Sequence, residues 1–301
     1  MIEIINLDKN YSTTCRVIKV DPQGASRIID HLNKGEDKFK SVISLPTGKN
    51  RITEGGLRSR GYFKKSYTNK PLISIITVVF NGASHIRETI ESVINQDYDN
   101  VEYIIIDGAS TDGTLEIIKK YENMIDYWVS ESDEGIYDAM NKGISLCRGD
   151  LVGIINADDS YLKDAFRIVK KEFENDIDIL YSDFYFLEKG NFFRKKANHR
   201  LLSITMSVFH PSVFMRMKIY KEYGCFDSLL KISADYKLLY TLYKDNKKFK
   251  KTTCLLTAMR VGGVSTNSNL AIEETFDIQK KNSSLLAHIF KYLRLLKKAI
   301  T

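Results

Sequence analysis

Apolar runs alternate with amphipathic stretches along residues 72–173, and polar clusters fall between them. The runs 72–79, 101–106 and 151–155 are rich in β-branched residues, which is typical of parallel strands buried on both faces. Residues 127–129 fit a shorter strand. Strands that alternate with helical patterns predict an α/β fold, in which a parallel sheet with right-handed crossovers carries helices on its faces.

Four stretches between these runs repeat apolar residues at helical spacing and predict the covering helices: 83–95, 115–121, 137–147 and 162–173. Ligands of such sheets bind at the carboxyl ends of the strands. Polar clusters follow three of the predicted strands, at residues 77–81, 107–112 and 158–159. The topology therefore predicts one site that is built from all three clusters.

Composition excludes several classes of protein. The 301 residues are 43% hydrophobic, which is enough for a sizeable core. The longest apolar run, 72–80, is too short to span a bilayer, and residues 1–10 lack the apolar segment of a secretory signal. The four cysteines lie far apart without zinc-site spacing, so we expect reduced thiols in a cytoplasmic protein.

The net charge of +7 is unevenly distributed. Residues 1–70 carry +7 and residues 280–301 carry +6, so the middle of the chain carries −6. A nucleic-acid groove through the main domain would need the opposite distribution, and we expect no nucleic-acid partner. An acidic middle instead favours a metal-assisted site.

Two adjacent carboxylates, Asp158 and Asp159, follow the predicted strand 151–155. Close acids repel each other and are costly to desolvate unless a cation neutralises them. A hard divalent ion that completes its coordination on a diphosphate suits this arrangement. The alternative is a turn that caps the next helix, but the position behind a buried strand favours the metal site.

The loop 107–114 combines a carboxylate at a strand end with small residues that open a helix. Such a loop lets the backbone approach a nucleotide, and Asp107 can accept hydrogen bonds from a base or from ribose hydroxyls. The loop lacks the Gly-Lys-Ser/Thr of a Walker A motif. We expect Asp112 to cap the following helix.

Four motifs appear in a fixed order, VVFNG, IIIDGASTDGT, SDEGIYDAMNKGI and GDLVGIINADD. Together they resemble the family 2 glycosyltransferases, particularly the bacterial enzymes that build O-antigen, capsule or exopolysaccharide. The resemblance implies the GT-A fold, an α/β fold with a Rossmann-like, mostly parallel sheet flanked by helices. The resemblance covers residues 71–265, which it implies are the catalytic domain. Outside that range lie a small N-terminal extension at 1–70 and a helical tail at 266–301.

The resemblance also implies a UDP-sugar site and a bound Mn²⁺ or Mg²⁺. Its donor-binding residues carry over to Thr77, Val79, Asn81, Asp107, Asp138, Asn141, Lys142 and Asp158. Asp158 and Asp159 match the family's metal motif, and His210 is a further metal candidate beside its alternative structural role. Asp138, Asn141 and Lys142 share one helix face by spacing. Lys142 either faces the donor phosphates or pairs with Asp138 on the surface.

Asp235 lies in the first turn of a predicted helix, where the resemblance implies the catalytic base. Transfer with inversion at the anomeric carbon needs one base to take the proton of the acceptor hydroxyl. The alternative is an acid that the helix dipole favours. The family often has Glu-Asp here, whereas Ala234 precedes Asp235, so the match rests on one carboxylate.

The C-terminal tail is basic, and Lys291, Arg294, Lys297 and Lys298 recur at helical spacing. Such a helix either lies on an anionic membrane or packs against protein. The resemblance favours the membrane, because lipid-carrier acceptors of these enzymes lie in the inner leaflet. A glycine turn at 262–266 is either a lid over the donor or a plain loop.

The sequence therefore predicts a metal-dependent, inverting hexosyl- or N-acetylhexosaminyltransferase of cell-envelope polysaccharide synthesis. It would act in the cytoplasm, at the inner membrane face, on a lipid-linked oligosaccharide or polysaccharide acceptor. One alternative is a nucleotidyltransferase that makes an activated sugar, but residues 78–86 lack its basic, glycine-rich signature. The other is a non-catalytic nucleotide-sugar binding or assembly protein. The presence of all four candidate carboxylates disfavours it: Asp107, Asp158, Asp159 and Asp235.

Overall fold

The computed structural model describes residues 3–6, 16–20, 33–46, 50–173, 176–188, 190–260, 269–280, 288 and 291–292. The strands are β1 (Glu3–Asn6), β2 (Arg16–Lys19), β3 (Arg51–Gly55), β4 (Tyr62–Phe63), β5 (Ile73–Val79), β6 (Val101–Asp107), β7 (Tyr127–Glu131), β8 (Leu151–Asn156), β9 (Ser160–Tyr161), β10 (Ile179–Tyr181), β11 (Phe184–Glu188), β12 (Asn191–Lys195), β13 (Val213–Arg216), β14 (Phe249–Lys251) and β15 (Thr257–Arg260). The α-helices are α1 (Ile86–Ile94), α2 (Thr114–Lys120), α3 (Ile136–Leu146), α4 (Ala165–Glu172), α5 (Met217–Tyr223), α6 (Ala234–Lys244) and α7 (Asn269–Lys280).

An eight-stranded sheet forms the centre, in the order β14-β10-β13-β8-β5-β6-β7-β3. Strands β8, β5, β6 and β7 run parallel to one another, whereas β13 and β3 are antiparallel to their neighbours β8 and β7. The predicted α/β fold with a mostly parallel sheet is confirmed. The predicted strand 72–79 is observed as β5, and the predicted helix 162–173 is shorter, as α4.

The central strands are buried on both faces, and β5 shows how the two faces divide. Ile76 and Val78 pack into a layer with α3, α5 and α6. Ile73 and Ile75 pack into the opposite layer with α1, α2 and α4. Because successive side chains of a strand point to opposite faces, an unbroken apolar run is what two covered faces require.

Part of the segment before residue 71 is integrated into the sheet. Strand β3 pairs antiparallel with β7 at the sheet edge. The ammonium of Lys64 lies 2.7 Å from an Asp126 carboxylate oxygen, and the Arg58 guanidinium lies 2.5 Å from Glu102, with all four side chains buried. The boundary at residue 70 stays a prediction, but residues 51–64 supply charges that buried acids of the sheet need.

A four-stranded sheet, β12-β11-β15-β9, flanks the central one, and β1-β2-β4 form a third. Among the described residues, none of the helices combines the length and the hydrophobicity of a membrane span. Cys147, Cys225 and Cys254 are free thiols. The glycine turn at 262–266 and most of the basic tail lie outside the described residues, although Lys291 pairs with Glu273 of α7 at 2.6 Å.

Candidate functional site

The carboxyl ends of the four parallel strands meet at one edge of the sheet. Val79 at the end of β5 pairs in register with Asp107, and Asp107 pairs with Ser130 of β7. On the other side of β5, Val78 is in register with Asn156, the last residue of β8. The predicted clustering of the three polar segments is therefore present, and this edge is the candidate site.

Asp107 is enclosed by its own loop. Its side chain is fully buried, and it accepts hydrogen bonds from the Ser110 hydroxyl at 2.5 Å and the Ser130 hydroxyl at 2.6 Å. The Ser110 amide also donates to it at 3.2 Å. Asp107 shapes the loop, because its oxygens accept hydrogen bonds from donors of that loop and of β7. Its predicted contact with the donor stays a prediction.

Asn81 joins the loop after β5 to the loop after β6. The backbone amide of Asn81 donates to the Ser110 hydroxyl at 2.7 Å. Its side-chain oxygen accepts from the Thr111 backbone amide at 2.9 Å. Asp112 accepts from the Ala83 amide at 2.9 Å and from the Thr114 amide at 3.1 Å, at the start of α2. These hydrogen bonds lower the pKa of Asp112, most strongly the one from the Thr114 hydroxyl. Asp112 therefore holds the turn, as the sequence predicts.

Thr77 and Val79 do not present their side chains at this edge. Thr77 is fully buried, and its hydroxyl lies 3.0 Å from the Tyr103 hydroxyl. Val79 packs into the layer with α1, and its carbonyl accepts a hydrogen bond from the Gly108 amide at 2.8 Å. The alternation of the strand turns both side chains into packed layers, and the two predicted donor contacts stay predictions.

Phe80 and Asp133 belong to the edge, although the spacing arguments did not single them out. Phe80 is 68% exposed, directly after β5. A Cβ at Gly108 would lie 2.6 Å from the Asp133 carboxylate and 3.4 Å from the Phe80 ring. The three residues therefore form one surface, which requires glycine at its centre. The sequence signal was an aromatic residue between an apolar run and an Asn-Gly turn.

The predicted donor residues of α3 have different surroundings. Lys142 lies 3.2 Å from the Asp138 carboxylate and 3.1 Å from that of Glu131, and this pairing raises its pKa although burial opposes it. Asn141 donates to the Phe226 carbonyl at 2.8 Å and accepts from the Phe226 amide at 2.9 Å. Both ends of the Asn141 side-chain amide are thus engaged with the Phe226 backbone, and its predicted donor contact stays a prediction.

Asp158 and Asp159 differ sharply. Asp159 is buried, accepts from the Arg260 amide at 3.1 Å and lies 3.3 Å from the Asn156 side-chain amide. Burial, with the nearby Asp158 charge, raises the pKa of Asp159 well above its ordinary value. Asp158 is half-buried, and within the described ranges no hydrogen bond or ion pair engages its carboxylate. Asp158 is therefore the carboxylate that is available to a ligand.

His210 connects the metal motif to the predicted base. Its Nε2 lies 3.3 Å from the Asn156 side-chain oxygen, and its Nδ1 lies 3.3 Å from Asp235. Asp235 also accepts from the Tyr236 backbone amide at 2.8 Å, and it lies 2.9 Å from the Tyr137 hydroxyl, which is 2.5 Å from the Ile232 carbonyl. The imidazole therefore bridges the Asn156 side chain and the Asp235 carboxylate. Beside the pair lies a cavity of about 20 Å³, too small for a sugar.

The residues of the edge fit a divalent ion held by few protein ligands. In the part of the chain that the structure describes, no three His, Cys, Asp or Glu side chains cluster as a ready metal site. His210 is not brought together with both carboxylates, since each of its ring nitrogens faces another side chain. Asp158, whose carboxylate no hydrogen bond or ion pair among the described residues engages, suits Mg²⁺ or Mn²⁺ that takes its other ligands from a diphosphate and water.

Glu274 of α7 holds the segment that leads into α6, the helix that carries Asp235, and sequence spacing gave no signal for it. Its carboxylate accepts from the amides of Lys231 at 2.7 Å, Ile232 at 3.0 Å and Ser233 at 2.8 Å. These donors lie directly before α6, which begins at Ala234. A buried carboxylate at this helix start satisfies amides that would otherwise lack partners.

Residues 74–241, more than half of the chain, match the family described as Glycosyl transferase family 2. A Rickettsia typhi protein named as a glycosyltransferase is 28% identical over 229 residues, which cover 71% of this chain and 71% of that protein. A Mycobacterium tuberculosis protein, also named as a glycosyltransferase, is 39% identical over 95 residues, 31% of this chain and 36% of that protein.

Two solved structures are similar in fold at 18% identity. S. aureus TarS 1–349 in complex with UDP-GlcNAc superposes with a TM-score of 0.58 over 69% of this chain. The superposition covers 64% of the TarS chain, which is less than two thirds of its length. The mannosyltransferase PcManGT from Pyrobaculum calidifontis, in complex with GDP-Man and Mn²⁺, superposes with a TM-score of 0.57 over 77% and 74%. This likeness confirms the GT-A fold.

Proposed function

The chain belongs to glycosyl transferase family 2, and on that premise we propose that it transfers a sugar from a UDP-sugar to a saccharide acceptor, with inversion. The observation that carries this proposal is the run of contacts from Asp159 through Asn156 and His210 to Asp235. It joins a metal-type carboxylate pair to a carboxylate suited to accept a proton. The nucleotide sugars bound to TarS and to PcManGT support the donor class.

The donor would lie along the carboxyl edge of the sheet. The exposed ring of Phe80 offers a face on which the uracil of the donor can stack. The Asp133 carboxylate beside Gly108 offers an acceptor for a hydrogen of the uracil or of the ribose. Asn81 would keep these loops in place, which makes it a positioning residue. Lys142, which shares Asp138 and Glu131 as partners, would turn toward the donor phosphates because a diphosphate is the more concentrated charge.

Asp158 would hold the divalent ion, Mn²⁺ or Mg²⁺, together with the donor diphosphate. When bound, such an ion neutralises the charge that develops on the leaving UDP. Asp159 would add negative charge beneath it, because a bound cation would favour the ionised form that burial and the Asp158 charge otherwise disfavour.

Asp235 would act as general base. It takes the proton from the acceptor hydroxyl, the hydroxyl oxygen bonds to the anomeric carbon from the face opposite the diphosphate, and the bond to UDP breaks with its electron pair. The Tyr137 hydroxyl, the Tyr236 amide and His210 hold this carboxylate. One base and one displacement give inversion. The acceptor in this proposal is a lipid-linked saccharide of the cell envelope, reached at the inner face of the membrane.

Release of free UDP tests the proposal. The purified chain would be incubated with a panel of UDP-hexoses and UDP-N-acetylhexosamines, Mn²⁺ and lipid-linked saccharide acceptors, and UDP would be detected by mass spectrometry. Acceptor-dependent UDP release supports sugar transfer. Pyrophosphate release from UTP with a sugar phosphate would indicate a nucleotidyltransferase instead. Donor binding without either product would indicate a binding protein.

A further inference from the structure

The hairpin formed by β11 and β12 concentrates aromatic and basic side chains that the proposed transfer does not use. Residues 184–196 hold five aromatic residues, four basic residues and a single acid. The strands pair antiparallel up to Glu188 and Asn191, the last pair before the turn. Every residue of β12 is exposed. The hairpin thus projects from the four-stranded sheet with its outer strand uncovered.

Two phenylalanines form the apolar part of the hairpin tip. Phe192 is 59% exposed and Phe193 is 54% exposed. Because they are consecutive in a strand, their rings lie on opposite faces of the hairpin. The Phe192 ring lies 5.8 Å from that of Tyr185, whereas Phe193 is paired in register with Phe186. A glycan or a base stacked on the hairpin would cover one face, whereas a medium that surrounds the tip removes both rings from water.

Cations lie directly behind these rings. Arg194 lies 2.9 Å from the Asp183 carboxylate, which Lys251 also contacts at 2.5 Å, so one acid is shared by two cations. The Lys195 ammonium lies 5.2 Å from the centre of the Phe186 ring, and Lys196 is exposed. Residues 184–196 carry a net charge of +3. Apolar rings in front of cations are complementary to an anionic lipid surface, with its acyl chains beneath a layer of phosphates.

We propose that the β11–β12 hairpin docks the protein onto an anionic bilayer. Phe192 and Phe193 enter the boundary between headgroups and acyl chains, and Arg194, Lys195 and Lys196 contact the headgroup phosphates. Strand β11 pairs with β15, whose Arg260 amide binds Asp159. Docking therefore holds the carboxylate edge close to the bilayer. This surface is distinct from the basic tail, and its test needs neither donor nor acceptor.

A tryptophan placed in the hairpin reports insertion directly. The chain has one tryptophan, Trp128, which is 2% exposed and supplies a constant background. With Phe193→Trp in the full chain, we expect a blue shift and protection from acrylamide when vesicles of phosphatidylcholine and phosphatidylglycerol are added. Vesicles of phosphatidylcholine alone should give neither change. Binding to the mixed vesicles without a change in this fluorescence would overturn the proposal, because another segment would then make the contact.

Removal of both rings tests their contribution. Phe192→Ser with Phe193→Ser should weaken cosedimentation with the mixed vesicles by roughly tenfold or more. Ile52→Ser is the matched control, since Ile52 is 57% exposed on β3 at the far edge of the central sheet, and it should bind like the parent. Equal binding of the double variant, or no binding by the parent chain, would also overturn the proposal. A melting curve verifies that each variant is folded.

Discussion

The imidazole Nδ1 of His210 lies 3.3 Å from a carboxylate oxygen of Asp235, although the two residues come from different elements. His210 begins the 3₁₀ turn before β13, whereas Asp235 is in the first turn of α6. The ring contacts one oxygen of the carboxylate, and the Tyr236 backbone amide donates to the other at 2.8 Å. A carboxylate fixed on both sides keeps one orientation, which a base that must meet an acceptor hydroxyl requires.

Asp235→Asn should abolish transfer while UDP still binds. The amide keeps the shape of the side chain but cannot take a proton, so kcat should fall by about 10²-fold or more. The control is Asp227→Asn, because Asp227 pairs with Lys237 and accepts from the Leu229 amide at 3.1 Å. The measurements are kcat and the Kd of UDP for each variant. A kcat of Asp235→Asn within a few-fold of the parent would leave Asp235 as a helix-start acid.

Asp158→Ala should remove metal-dependent transfer and leave the fold intact. No hydrogen bond or ion pair among the described residues engages Asp158, so its loss should change Tm by little. In the parent, EDTA should stop transfer and Mn²⁺ or Mg²⁺ should restore it. Asp99→Ala is the control, since Asp99 pairs with Lys70 in front of β6. Transfer by the parent that persists in EDTA would contradict the metal assignment.

The buried Asp159 should make metal-free stability depend on pH. Its folded-state pKa is raised above the ordinary 3.8, so the protonated form stabilises the fold, and this contribution is lost as pH rises from about 3.8 through the folded-state value. Asp159→Asn should therefore be the more stable protein at neutral pH, by about 1 kcal/mol. Urea unfolding of both proteins in a pH series that rises from the ordinary value of 3.8 measures the difference. A difference that is constant with pH would contradict the assignment.

Thr77→Val should reduce the free energy of unfolding without changing the affinity for the UDP part of the donor. The change leaves the buried Tyr103 hydroxyl without its partner at 3.0 Å, which costs about 1–3 kcal/mol. The Kd of UDP should stay within about twofold, because the side chain lies in a packed layer. Denaturation and calorimetric titration measure the two effects separately. A large rise in the Kd of UDP at unchanged stability would instead support a direct contact between Thr77 and the donor.

Lys64→Met should destabilise the protein by about 3–5 kcal/mol, since it leaves the buried Asp126 without its cation. Lys70→Met is the matched control, because its pair with Asp99 is exposed and is worth at most about 1 kcal/mol. Adding Asp126→Asn to Lys64→Met should recover part of the loss. Equal stability of the two lysine variants would show that residues near 64 are independent of the sheet.

The sequence by itself determined the layers of this protein and the edge that carries its site. The β-branched runs at 72–79, 101–106 and 151–155 admit few arrangements other than parallel strands covered on both faces. Chain direction then brings every polar cluster that follows a strand to one edge. These are properties of local periodicity and chain order, and they need no knowledge of which distant residues meet.

Only the tertiary structure decided which polar side chains face outward. Asp107 turns its oxygens into its own loop, Asn141 binds the Phe226 backbone, and Glu274 of α7 collects the amides before α6. The partners of Asn141 and Glu274 lie 85 and 41–43 residues away in the chain, so no spacing rule could connect them. A carboxylate or amide at a loop satisfies whichever donors and acceptors packing brings to it, and packing is settled by the whole fold.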